Sequence, residues 1–217
     1  MMHKITRHRH FLIRLTLLLA VIGLVTFVYA QQDSAPLYAL PSANETVYTS
    51  NTIDRTADGR TMIAANMLND TVSIINLSTN EIEAEIIVGD DPRTLTYTTD
   101  ENRILTVNRA DGTLNILDLS EDTPQISVTY PVGVLPYAVV SNEDNRTFIS
   151  LQGSAEVIEI DIDTGDILTR IDTAENPTGL ALWGDFLYVT HLWSGELSLI
   201  YLPQKQVVRN ISTGQNG

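Results

Sequence analysis

The sequence contains no cysteine among its 217 residues. Disulfide bonds, thiolate nucleophiles, zinc sites with cysteine ligands and covalent haem attachment are therefore excluded from it. Aromatic residues make up only 6% of the chain, and no segment shows a sustained helical period of apolar residues. The fold must accordingly hold together by an aliphatic core, without covalent cross-links.

Basic residues are also scarce, with 13 Lys and Arg against 27 Asp and Glu and a net charge of −14. Four of the basic residues and none of the acidic ones fall in residues 1–30. The rest of the chain is therefore more acidic still. Nucleic acids and anionic lipid surfaces select basic surfaces, so neither is predicted as a partner. An acidic surface favours solubility and could recruit a basic partner or cations.

A long apolar run occurs only at the start of the chain. Lys4, Arg7, Arg9 and Arg14 precede the run 15–29, and Ala30 is followed by polar sequence. This order is typical of a secretory signal peptide over residues 1–30, cleaved after Ala30. An uncleaved anchor is the alternative, although the run is shorter than the roughly 20 residues that span a bilayer. The predicted location is extracytoplasmic (periplasm, cell surface or secreted), with no membrane insertion after cleavage.

A unit of about 40 residues recurs four times, which is the signature of propellers and solenoids. Its clearest part is a short alternating apolar segment that ends in a polar turn, found at residues 70–80, 112–122, 155–165 and 195–205. Each unit contains four candidate strands. In the second unit these are 93–98, 103–108, 113–119 and 125–130, and in the fourth 178–182, 186–191, 196–202 and 206–211.

Turn residues separate the strands. A short proline-containing motif, here called the proline mark, separates the units: Gly89-Asp-Asp-Pro92, Gly133-Val-Leu-Pro136 and Glu175-Asn-Pro177. Four-stranded antiparallel units at this spacing predict an all-β fold, a β-propeller with four recognisable blades. The predicted blades are 49–91, 92–135, 136–176 and 177–217. Residues 31–48 are predicted as a linker or a preceding strand.

The order of these signals resembles the YVTN-type β-propeller repeat. Its best-matching segments are Leu105-Thr-Val-Asn108 and Leu187-Tyr-Val-Thr190, followed by Ile63-Ala-Ala-Asn66. The resemblance covers residues 49–217. It implies a bacterial or archaeal surface or periplasmic protein, and a seven-bladed ring of which these four blades form one part. We therefore expect a chain truncated at its C-terminus; the alternatives are a four-bladed ring and an assembly that pairs its exposed sheet edges.

The candidate site lies on one face of the predicted propeller, where the loops from second to third strands meet the loops that lead into first strands. The candidate ligand-binding residues on these loops are Arg93, Asn108, Arg109, Tyr137, Gln152, His191 and Trp193. Two of them have a structural alternative. His191 is the one histidine outside residues 1–30. It could be a structural residue that occupies the position of Asn66, Asn108 and Gln152 in the other blades, here called the slot. Trp193 could pack between blades.

Metal and catalytic chemistry have weak support in the sequence. Asn66, Asp70 and Asp111 are the candidate ligands of a divalent metal ion, with Asn108 beside them; no other cofactor is indicated. No catalytic motif is present. We therefore expect an exported module that binds a protein or a small molecule through its loop face. The alternatives are a lactonase-like or quinoprotein-like enzyme, or an electron-transfer accessory to a cytochrome c peroxidase-like domain.

Overall fold

The computed structural model describes residues 41, 42, 44–120 and 123–214; the predicted signal peptide and most of the predicted linker lie outside them. No helix in this described part is long and apolar enough to cross a bilayer. One short 3-10 helix spans Leu202–Gln204, and the other elements are strands. The strands are β1 (Val47–Thr49), β2 (Ile53–Arg55), β3 (Thr61–Asn66), β4 (Thr71–Asn76), β5 (Glu81–Ile87), β6 (Pro92–Tyr97), β7 (Arg103–Asn108), β8 (Thr113–Asp118), β9 (Gln125–Pro131), β10 (Pro136–Ser141), β11 (Thr147–Leu151), β12 (Glu156–Ile160), β13 (Ile167–Asp172), β14 (Pro177–Trp183), β15 (Phe186–His191), β16 (Glu196–Tyr201) and β17 (Gln206–Ser212).

These strands form four antiparallel sheets, one for each sequence repeat. Blade 1 contains β2–β5, blade 2 β6–β9, blade 3 β10–β13 and blade 4 β14–β17, each in sequential order. The β-branched and aromatic residues of these segments favour strands. Short turns join neighbouring strands in a blade. The predicted all-β class, a β-propeller built from four four-stranded blades, is confirmed. The seven-bladed ring remains a prediction.

The first strand of the described chain departs from the expected repeat. β1 pairs with β14, with Thr49 opposite Ala181, so the sheet of blade 4 has a fifth strand. The backbone N–H of Ser50 then donates to the carbonyl of Leu180 at 2.9 Å, and Asn51 bridges to Leu95 in blade 2. The chain thus passes blades 4 and 2 before it reaches blade 1, where β2 has three residues.

The turns of successive blades use the left-handed backbone region at matching positions. The residue before each third strand has a positive φ: Asp70 (55°), Gly112 (71°), Ala155 (56°) and Gly195 (63°). Only two of these four are glycine, although side chains other than glycine adopt this region at a cost. The sharp reversal into the third strand is therefore a property of the repeat, and it sets where each loop points.

The apolar core consists of three clusters, one between each pair of consecutive described blades. Ile63 and Leu95 belong to the cluster between blades 1 and 2. The cluster between blades 2 and 3 includes Leu105, and the one between blades 3 and 4 includes Phe148. One face of a blade covers the next, so burial depends on the stacking of repeats. This stacking makes the loop face rigid.

Buried hydrogen bonds also link the inner strands of blades 2, 3 and 4, directly between blades 2 and 3 and through a hydroxyl of β11 between blades 3 and 4. The backbone N–H of Val139 donates to the hydroxyl of Thr94 at 2.9 Å. The hydroxyl of Ser150 donates to the carbonyl of Thr178 at 2.7 Å and accepts from the N–H of Ala138 at 3.0 Å. These buried hydrogen bonds fix the relative position of the three inner strands, and with them the loops at the strand ends.

Candidate functional site

The two sets of loops at the candidate face are joined by a hydrogen bond that recurs in three blades. The backbone N–H of Arg109 donates to the carbonyl of Asp91 at 2.9 Å. Gln152 and Leu192 donate in the same way to Leu135 and Asn176, at 2.9 and 3.0 Å. Both sets of loops therefore lie on one face, as the sequence indicated, and each residue that follows a second strand has a fixed backbone position.

The carbonyls that accept these bonds belong to the residues that directly precede Pro92, Pro136 and Pro177. These residues, Asp91, Leu135 and Asn176, have left-handed φ values of 60°, 52° and 52°. Asp and Asn tolerate this region better than other side chains do, whereas Leu135 is strained there. A strained residue is retained where the surrounding structure determines it, and such positions cluster at functional sites.

A groove of about 330 Å³ opens on this face between blades 2, 3 and 4. Five of the seven candidate residues line it: Arg93, Arg109, Tyr137, Gln152 and Trp193. Leu135, Asn176 and Leu192 also line the groove and were missed by the sequence reasoning. Each of the three lies next to a predicted residue or a repeat proline, so its position in the turn was the available signal. The volume suits a small molecule.

The charge of the groove comes from two arginines that share one carboxylate. Nη2 of Arg93 lies 2.8 Å from Oδ2 of Asp91, and Nη1 of Arg109 lies 3.5 Å from the same oxygen. Nε of Arg109 also donates to Oε1 of Gln152 at 3.1 Å. All three charged side chains are partly buried, which holds the guanidinium groups in place. The cluster as a whole carries one excess positive charge.

Arg93 lies between polar and apolar partners. Its guanidinium carbon is 5.6 Å from the ring centroid of Tyr137, within the range of a cation–π interaction. Its Nη1 contacts the sulfur of Met67 at 3.4 Å. Its Nε is buried and has no hydrogen-bond partner among the described residues. Arg93 therefore joins blades 1, 2 and 3, and its one unpaired donor is buried.

Asn108 and His191 lie outside the groove lining, at the ends of β7 and β15. Asn108 is fully buried, and its Nδ2 donates to Thr113 Oγ1 at 2.9 Å and to Asn115 Oδ1 at 2.7 Å. His191 is 6% exposed, with Nε2 2.8 Å from Ser198 Oγ. Each side chain contacts the residue seven positions later, so both connect a second strand to a third strand. The geometry matches the structural alternative.

The equivalence assumed for Gln152 needs a correction. Pro92 is paired with Asn108, Pro136 with Leu151 and Pro177 with His191. The slot in blade 3 is therefore filled by Leu151, which belongs to an apolar cluster. Gln152 comes one position later and matches Arg109. The shift of one residue moves Gln152 from the inter-strand slot to the groove.

The three candidate metal ligands each form hydrogen bonds to other residues of the chain. Nδ2 of Asn66 donates to Thr71 Oγ1 at 2.9 Å and to Ser73 Oγ at 2.7 Å. Asp70 accepts from the N–H of Asp91 at 3.0 Å, and Asp111 from that of Asp90 at 2.8 Å. Within the described residues, no three His, Asp or Glu side chains are grouped as metal ligands. Asp70 fastens blade 1 to the loop that leads into blade 2, and Asp111 fastens blade 2 to the same loop.

Comparison with known proteins supports the fold. No protein-family model and no curated protein matches the sequence. The hydrazine synthase of Kuenenia stuttgartiensis superposes with a TM-score of 0.65 and 18% identity, over 80% of this chain and 52% of that chain. The periplasmic gluconolactonase of Pseudomonas aeruginosa superposes with a TM-score of 0.63 and 15% identity, over 76% of this chain and 54% of that chain. The chain therefore spans about half the length of these propeller proteins.

Proposed function

We propose that this chain is an exported β-propeller module that binds a small molecule in the groove at its loop face. The observation that carries the proposal is the convergence of Arg93, Arg109, Tyr137, Gln152 and Trp193 from three blades on one groove. Propellers commonly use a rigid scaffold to hold variable loops. Here the backbone bonds to Asp91, Leu135 and Asn176 supply that rigidity.

The exposed side chains of the groove support binding more strongly than structural packing. Trp193 is 70% exposed and Leu192 is 53% exposed, in a groove that also contains two guanidinium groups. Large apolar side chains at the surface beside convergent polar groups are typical of ligand sites. A groove of this size does not suit a folded protein partner, which needs a much larger contact area.

The test uses the two tryptophans of the chain as reporters. In a ¹⁵N-labelled sample each indole N–H gives one signal, and a Trp193→Phe variant assigns them. Trp183, whose indole nitrogen is buried, serves as the internal reference. A library of small sugars, organic acids and amino acids should contain members that shift the Trp193 signal and leave Trp183 unmoved. A library that shifts neither signal contradicts the proposed binding function.

Export rests on residues 1–30, and a separate experiment tests it. The segment fused to alkaline phosphatase, an enzyme active only outside the cytoplasm, should give active phosphatase in a bacterial host. A matched fusion with Leu17, Leu18 and Leu19 changed to Asp should be inactive, because charges abolish the apolar region of a signal peptide. Equal activity from both fusions contradicts the export proposal.

A lactonase-like activity is the second candidate, and the shared fold with a periplasmic gluconolactonase supports it. Fold alone does not determine chemistry. The direct test is hydrolysis of δ-gluconolactone followed by proton release, with calcium and with a chelator. Hydrolysis that Asp70→Asn or Asp111→Asn abolishes would favour the enzyme over the binding module. Hydrolysis at the uncatalysed rate removes this candidate.

A further inference from the structure

The charges of the groove differ from those of every other ion pair in the described part of the chain. Arg60, Arg103, Arg146 and Arg170 each pair with a carboxylate of their own. Only Arg93 and Arg109 share a single carboxylate, that of Asp91. The residues that line the groove include two arginines and no acidic side chain. In an otherwise acidic protein, this groove is a local site for one negative charge.

Arg109 also keeps a hydrogen-bond donor for a ligand. Arg109 uses Nε for Gln152 and Nη1 for Asp91, so its Nη2 makes no hydrogen bond to a described residue. Its side chain is 30% exposed. Nε of Arg93 also has no partner among the described residues, but it is buried and cannot reach a ligand. A carboxylate matches planar guanidinium donors, and its single negative charge equals the excess charge of the cluster.

The remaining lining residues define the body of the ligand. Trp193 presents an exposed indole, and a ring that carries C–H groups stacks on such a surface. Gln152 and Asn176 add neutral amides that can donate to and accept from hydroxyl groups. A ring with hydroxyl groups uses both kinds of contact, whereas a plain aliphatic acid uses neither.

The geometry points to a cyclic sugar monocarboxylate, of the hexuronate class, as the ligand. The carboxylate lies against Arg109 and Arg93, and the sugar ring lies on Trp193 beside Gln152 and Asn176. This inference rests on the proposed binding function, because it specifies the ligand of the same groove. It predicts that the carboxylate and the sugar ring contribute separately to the affinity. Small probes that carry only one of these groups measure each contribution.

The experiment titrates D-glucuronate, D-glucose and acetate against the full chain after residue 30, followed by the indole signals of Trp193 and Trp183. Glucuronate should shift Trp193 with millimolar or better affinity, while glucose and acetate should each bind at least tenfold more weakly. Arg109→Gln should weaken glucuronate binding at least tenfold, and its binding should fall as salt rises. Arg170→Gln, which removes an arginine outside the groove, should leave the affinity unchanged.

Three results would overturn the sugar acid. Glucose that binds as tightly as glucuronate, with no effect of Arg109→Gln, retains a binding groove but refutes the carboxylate. Acetate that binds as tightly as glucuronate refutes the sugar ring. If none of the three probes shifts Trp193, the inference fails, and the library screen separately decides the binding function. Equal thermal unfolding of the variants shows that a lost affinity is not a lost fold.

Discussion

Gly89→Ala tests how the first residue of a Gly-x-x-Pro mark packs against the next blade. A Cβ atom at Gly89 would lie 2.6 Å from Oδ2 of Asp111 and 2.7 Å from both Cγ and Nδ2 of Asn108. The Asp111 carboxylate is the end of an exposed side chain and can move. Asn108 is fully buried and its amide holds two hydrogen bonds, so it cannot yield without losing them.

The size of the effect follows from two opposing contributions. Forcing an extra carbon into a close-packed site costs about 1–3 kcal/mol. Alanine restricts the unfolded chain more than glycine does, which returns about 0.4–1 kcal/mol where the backbone permits it. The φ of Gly89 lies outside the left-handed region, so no backbone strain is added. The free energy of unfolding should therefore fall by about 0.5–2 kcal/mol, and Tm by roughly 2–8 °C.

Urea unfolding of Gly89→Ala, Asn108→Ala and the double variant measures the loss of stability and tests whether the contact with Asn108 causes it. Once the Asn108 amide is absent, most of the clash is relieved, so Gly89→Ala should cost about 1 kcal/mol less than in the parent chain. The urea dependence of each transition should stay the same, which shows that the unfolded states are comparable. An equal cost of Gly89→Ala in both backgrounds would refute the packing argument.

The remaining predictions concern the apolar core, the slot of blade 4 and the pH dependence of stability in acid. Phe148→Ala should lower the free energy of unfolding by about 3–5 kcal/mol in urea titrations, because this ring is fully buried between blades 3 and 4. His191→Asn should retain a hydrogen bond to Ser198, whereas His191→Leu should cost about 1–3 kcal/mol by leaving that hydroxyl less satisfied; equal stability of the two variants would contradict the slot assignment. The hydroxyl of Thr98 holds the pKa of Asp100 below its usual 3.8, so Asp100 stabilises the fold above about pH 4, and this contribution is lost as the pH falls through the lowered pKa. The stability difference between the parent and Asp100→Asn should shrink in acid, and a difference that grows below pH 4 would contradict this sign.

The repeat predicted the fold well because its signals are local. Alternation, turn residues and proline marks each determine the backbone structure of only a few neighbouring residues. The strands of blades 2 and 4 therefore begin and end within two residues of the predicted bounds. The pairing of β1 with β14 could not be predicted in this way. It joins segments about 130 residues apart, and nothing in residues 47–49 distinguishes a first inner strand from an added one.

The candidate site was predicted less evenly, and the error has a specific cause. Asn66, Asn108, Gln152 and His191 were grouped because all are polar and each begins a predicted loop from a second to a third strand. Counting back from Ala155, the left-handed residue before β12, would have placed Leu151 in the slot. Leu151 is apolar, so polarity alone does not identify it as the equivalent residue. The backbone register determines which residues of different blades are equivalent. The residue in the slot is polar only where the neighbouring strand is polar too.

The four blades agree where side chains hold the fold and differ where they face the groove. The residue at the end of the second strand hydrogen-bonds to the third strand in blades 1, 2 and 4, and in blade 3 Leu151 packs in the apolar cluster between blades 2 and 3. The residue after it has the same backbone bond in blades 2, 3 and 4, yet its side chain is Arg109, Gln152 or Leu192. The proposed binding of an asymmetric small molecule accounts for this variety, because such a ligand needs a charge, an amide and an apolar contact at different points around itself.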